Sequence, residues 1–187
     1  MGKLYSWKDY EPKSSHTYLL DNSILLFLFA PIGNYKAEIQ ERISNFITKA
    51  NSVSSSLATT SLVISEFYNV VFRDFFNDWK EDENNAVCQK DKNATQILKQ
   101  CYRPTETYKS DIASINSAIK NIFRLLDKYN DNFSSINFDK ILNSCNYIDF
   151  NDSYFVELAN NNNWIICTRD TDIINCKNLN NSVISFL

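Results

Sequence analysis

The chain has 187 residues, a hydrophobic fraction of 44% and a formal net charge of -3, which fits one domain with a sizeable core better than two. Its two glycines and single histidine exclude a Gly-rich dinucleotide or phosphate loop and leave His-dependent triads short of material. With 19 basic against 22 acidic side chains, charge alone argues for no nucleic-acid partner.

Mean hydropathy is -0.34. The longest apolar run, residues 24–32, is well short of the roughly 18 residues that a membrane span needs. The first residues are polar and lack a secretory hydrophobic core, so the chain is expected to be soluble and cytoplasmic, with no membrane partner. The five cysteines, Cys88, Cys101, Cys145, Cys167 and Cys176, contain no CxxC pair. An odd count at irregular spacing argues for free thiols rather than a disulfide framework or a zinc site.

In chain order, residues 1–16 read as an arm without periodicity. Thr17-Tyr18-Leu19-Leu20 is a short buried strand. The run after Asp21-Asn22-Ser23 is either a buried helical turn or a continuation of the strand, broken by Pro31 and Gly33. Ile39, Ile43, Phe46, Ile47 and Ala50 recur at helical spacing. Leu57 to Thr60 is a second strand, and Ser65-Glu66 opens an amphipathic helix running to Trp79. Residues 80–107 turn polar and read as an exposed insertion or flexible lobe. Ile112, Ile115, Ile119, Ile122 and Leu126 predict another helix, capped by Asp111. Residues 138–145 form a short helix, and Asn151-Asp152 starts the next. Trp164-Ile165-Ile166-Cys167 is an apolar strand, and residues 183–187 close the chain as another. Strands alternating with helices predict a single α/β domain over residues 1–187, a three-layer sandwich around a mostly parallel sheet with a helical insertion.

In such a sheet, ligands bind outside the carboxyl ends of the strands. Asp21 follows the first strand and Asp170 follows the Trp164 strand. Glu66 and Asp152 sit at helix starts, which share that rim. Four acids from separate segments can converge there. Each taken singly is also a plausible turn residue or helix cap; the joint placement carries the reading. Converging carboxylates repel and are costly to bury, so a divalent cation is expected among them. Oxygen ligands without His or Cys suit Mg²⁺ or Mn²⁺, whose usual task is phosphoryl chemistry.

The segments TYLLDNSILLFLF, LATTSLVISEFYNVVF and IDFNDSYFVELANNNNWIICTRDTDI, with the closing strand, resemble PIN domains. The likeness covers residues 17–79 and 132–187, and its specificity lies in having four short acidic motifs in order. It implies a PIN-like fold with Asp21, Glu66, Asp152 and Asp170 as catalytic metal-binding carboxylates. Asp172 is implied as a further acid, and Ser23 as a hydrogen-bonding support for the first. Two departures stand out: Asn22 where Thr is commoner, and the long insertion at 80–107. PIN domains are mostly Mg²⁺- or Mn²⁺-dependent endoribonucleases. Small stand-alone members are often VapC-type toxins of toxin–antitoxin pairs, which implies an RNA substrate, an antitoxin partner and a homodimer. Arg169 is expected either to contact a substrate phosphate or to pair with one of the acids. Arg73 and Lys177 are further candidates for backbone contacts. Two other readings remain open. One is a catalytically inactive PIN scaffold that binds RNA or protein. The other is a different Mg²⁺-dependent phosphoryl-transfer enzyme, disfavoured because Ser23 stands where an Asp-x-Asp pair would need its second acid.

Overall fold

Short apolar strands survive only where both faces of a sheet are covered. That is the arrangement in the computed structural model, which describes residues 2–33, 35–176 and 180–187. Lys177 lies outside them. Among the described residues six strands form one all-parallel sheet: β1 (Leu4–Ser6), β2 (Thr17–Leu20), β3 (Ser56–Thr59), β4 (Asp127–Lys128), β5 (Ile165–Thr168) and β6 (Val183–Ser185). Their order is β1-β6-β5-β2-β3-β4. Helices cover the sheet as the outer layers of an α/β/α sandwich, the class expected from the sequence.

The chain leaves β2 through α1 (Asn22–Phe29) and α2 (Ala37–Ser52) to reach β3. It then returns to β4 through α3 (Ser61–Glu81), the short α4 (Ala86–Gln89) and α5 (Ala94–Gln96), and α6 (Glu106–Leu125). These crossovers step one way along the sheet. From β4 it jumps back past β2 to β5 through α7 (Phe138–Ser144) and α8 (Phe150–Asn162), then passes α9 (Thr171–Ile174) to reach β6. Right-handed crossovers in opposite directions place their helices on opposite faces. The reversal falls between β2 and β5, and that switch point opens a crevice at the carboxyl ends of these two strands.

Tyr18, Leu19 and Leu20 are at most 1% exposed, as are Ile166 and Cys167 beside them. Leu20 stands opposite Cys167 in the register, and the Asp21 N–H continues the ladder to the Cys167 carbonyl at 3.0 Å. Asp21 is thereby pinned to the rim at the level of Thr168. The open choice after Asp21 resolves as helix. Ile24 and Leu25 are buried on α1, and the N–H groups of both bond back to the Asp21 carbonyl.

Several expectations are corrected. Residues 1–16 are not wholly irregular: β1 pairs with β6 at one edge. Glu66 does not open its helix. Thr60 alone links β3 to α3, which begins at Ser61, so Glu66 lies in the second turn. Thr105, whose hydroxyl accepts from the Tyr108 N–H, caps α6 in place of Asp111; Asp111 instead accepts a hydrogen bond from the Tyr102 hydroxyl at 2.6 Å. The 80–107 stretch is not a loose lobe. Trp79, Ile97, Cys101 and Tyr102 are buried together against Phe72, Phe76 and Tyr108, and Cys88 and Cys101 are joined as a disulfide. The free-thiol reading therefore fails for these two. Their spacing of 13 residues matches no local motif, and only the packing of α4 against the π-helical turn Ile97–Tyr102 brings them together. Among the described residues no helix is long and apolar enough to cross a membrane.

Candidate functional site

Asp21 is 7% exposed at the mouth of the crevice. One of its carboxylate oxygens, Oδ2, accepts from the Ser23 hydroxyl at 2.5 Å and from the Thr168 hydroxyl at 2.7 Å. A helix and a strand thus fix it, since Ser23 belongs to α1 and Thr168 ends β5. Burial pushes the Asp21 carboxyl up from its ordinary range, Asp170 adds to this, and the Ser23, Thr168 and Asn22 donors oppose it. The two hydroxyls also order the opposite loop. Ser23 Oγ accepts from the Arg169 N–H at 3.0 Å, and Thr168 Oγ1 accepts from the Asp170 N–H at 2.8 Å.

Asp170 caps α9, accepting from the Asp172 N–H at 2.7 Å. Across the crevice Asp149 caps α8, accepting from the Asp152 N–H at 2.9 Å. These caps aim two helix starts at one point. Asp152, Asp170 and Asp172 each bring a carboxylate oxygen within 4.8 Å of the others. Asp152 bears the consequence: burial first, then the charges of Asp149, Asp170, Asp21 and Glu66, push its carboxyl up to about 7.

Glu66 faces the same crevice from α3. Burial and then the Asp21 charge raise its carboxyl, with Asp149 and Asp170 contributing. The Asn22 amide donates to Glu66 Oε1 at 3.3 Å. Asn22 itself is 4% exposed, and its Oδ1 is buried without a hydrogen-bond partner.

The structure therefore brings all the sequence-nominated acids to one rim, but not on equal terms. Asp152, Asp170 and Asp172 form the close group. Asp21 and Glu66 stand outside that group and within electrostatic reach of it. Asp172, nominated as an extra, is a full member. Arg169 pairs with no acid among the described residues. Its guanidinium carbon lies 4.2 Å from the Phe27 ring centroid, and its Nε donates to the Phe186 carbonyl at 3.3 Å; burial lowers its pKa. Arg73 is exposed on α3. Sequence reasoning missed Asp149, Thr168 and the role of Asn22. Asp149 was legible as the capping residue three positions before Asp152. Thr168 carried no signal, because its role depends on β5 lying beside β2.

The donors fit a hard divalent cation. They are all oxygen, they come from separate elements, and burial together with their mutual repulsion pushes the Asp152 carboxyl up to about 7. Such a cation would be held by Asp152, Asp170 and Asp172, with Asp21 and Glu66 balancing its charge.

No protein-family model matches this chain, and no curated protein matches it. Among solved structures, the chain is similar to the crystal structure of PAE2754 from Pyrobaculum aerophilum, at 12% identity over 93% of this chain and 87% of that one, with a TM-score of 0.46. That likeness is too slight to carry an argument.

Proposed function

We propose that the chain is a Mg²⁺- or Mn²⁺-dependent endoribonuclease that hydrolyses RNA phosphodiester bonds at the β2–β5 crevice. The observation that carries this reading is the convergence of Asp152, Asp170 and Asp172 within 4.8 Å, backed by the buried carboxylate of Asp21 at the switch point of the sheet. Positive charge placed among such a group relieves its mutual repulsion. The RNA substrate and the toxin role come from the resemblance to PIN domains, as do an antitoxin partner and a homodimer.

When bound, the cation supplies a Lewis acid that polarises phosphoryl oxygens and lowers the pKa of water. The chain's own residues do the rest. Ser23 and Thr168 hold Asp21 in one rotamer. Asn22 orients Glu66 by donating to its Oε1. The N-caps Asp149 and Asp170 fix the approach of α8 and α9. Asp152 gives up its proton as positive charge enters. No step requires histidine, in keeping with His16 being engaged with Tyr10 at 2.8 Å away from these acids.

The test is incubation of purified protein with RNA in Mn²⁺, against EDTA and against Asp170→Asn. Metal-dependent cleavage lost in the variant supports the reading, whereas an equal rate in the variant removes it.

A further inference from the structure

Away from the acidic rim, a hollow of about 360 Å³ opens between α7 and α8 and reaches Asn180. Its volume falls among those of small-molecule sites. Lys140 and Asn143 line it from α7, and Ser153, Glu157 and Asn160 from α8. Val156 is the one apolar residue among the described lining, which disfavours a lipid or an aromatic occupant. Glu157 follows Asp152 by five residues on α8, about 140° further round the helix. The hollow therefore opens on a different side of α8 from the acids.

Glu157 is 4% exposed. Lys140 is its ion-pair partner, with Nζ 3.4 Å from Oε1 and a side chain that is 56% exposed. Oε1 is buried without a hydrogen bond, and among the described residues no donor serves the other oxygen either. A carboxylate removed from water ordinarily gains donors in exchange. Asp21, at similar depth, accepts from Ser23 and Thr168. Glu157 has no such pair, so the donors that would complete it come from outside the described chain.

Charge sets the class of the ligand. The hollow presents one carboxylate and one ammonium side by side. A simple amine would donate to Glu157 and be repelled by Lys140, and a simple carboxylate would meet the reverse. A compact zwitterion satisfies both. We propose that this hollow binds a free α-amino acid, its ammonium donating to the Glu157 carboxylate and its carboxylate accepting from the Lys140 ammonium. Ligands with small or polar side chains are favoured, because Val156 alone offers apolar surface. The site stands whether or not the β2–β5 crevice hydrolyses RNA.

The experiment is isothermal titration calorimetry of the full chain at neutral pH with glycine, serine and asparagine, against phenylalanine, ethylamine and acetate. At least one of the first three should bind saturably at millimolar concentration, and ethylamine and acetate should bind at least about tenfold more weakly. Glu157→Gln keeps the size of the side chain and removes its charge; it should weaken amino-acid binding by at least about tenfold. Lys140 is exposed, so Lys140→Gln should fold normally, weaken binding by about 2- to 5-fold and reduce the discrimination against ethylamine. Circular dichroism checks that each variant is folded, and where Glu157→Gln is not, the ethylamine comparison in Lys140→Gln decides. No saturable binding of any small amino acid overturns the site. So does equal affinity of the wild type for ethylamine, or unaltered affinity in a folded Glu157→Gln, or unaltered discrimination in Lys140→Gln.

Discussion

Asp21 shows how a buried charge is made tolerable by its neighbours. A carboxylate at 7% exposure would be strongly disfavoured without donors, and Ser23 and Thr168 supply two. Thr168→Val keeps the shape and removes one. It should cost about 1–3 kcal/mol in denaturant unfolding at neutral pH, and less at low pH, where Asp21 is protonated. Asp152 gives the complementary prediction. Its folded carboxyl, pushed up to about 7, lies above its unfolded value. The folded state therefore binds the proton more tightly, and stability is lost as pH rises from about 4 to about 7. Asp21 and Glu66, raised in the same direction, add to that slope. Without metal, melting temperature should fall across this window, and Asp152→Asn should flatten the fall. Mn²⁺ at about 100 times its dissociation constant should restore about 2.7 kcal/mol, or roughly 5–10 °C for a chain of this size. No metal-induced rise at pH 7.5 would count against the site.

At the scale of elements, the strands β2, β3, β5 and β6 and the long helices were legible because their apolar residues keep the period of their element. Val63, Phe67 and Val71 bury one stripe of α3, and β5 is buried throughout. What was not legible depends on partners. β1 and β4 are two or three residues long and exist through pairing with β6 and β3. The start of α3 was misplaced because Ser65-Glu66 has the composition of a helix start, whereas Thr60, which precedes the helix, makes no side-chain cap bond. The 80–107 lobe looked loose since its core is only four buried residues plus a disulfide. That bond closes a loop of 13 residues, worth about 3 kcal/mol to the lobe. Reduction should speed hydrogen exchange over residues 82–105 and leave β2 and β5 protected. Uniform deprotection of the whole chain would show the lobe is integral to the sheet's stability.

For the whole molecule, the order β1-β6-β5-β2-β3-β4 turns scattered acids into one site. The alternation of strands and helices placed Asp21, Glu66, Asp152 and Asp170 on one rim, Glu66 through a helix start that lies five residues earlier at Ser61, and Asp172 was added by the resemblance to PIN domains. Neither could rank them, because ranking requires knowing that α8 and α9 start on the same point while Asp21 sits a step behind. The central claim is that these acids hold a divalent cation for cleavage of RNA. Its most direct test is the cleavage rate of a single-stranded RNA in Mn²⁺ by wild type, Asp21→Asn and Asp152→Asn, each confirmed folded. The account predicts cleavage by wild type that EDTA abolishes, and a loss of at least about a hundredfold in either variant. Cleavage that survives EDTA, or variants as active as wild type, would contradict it.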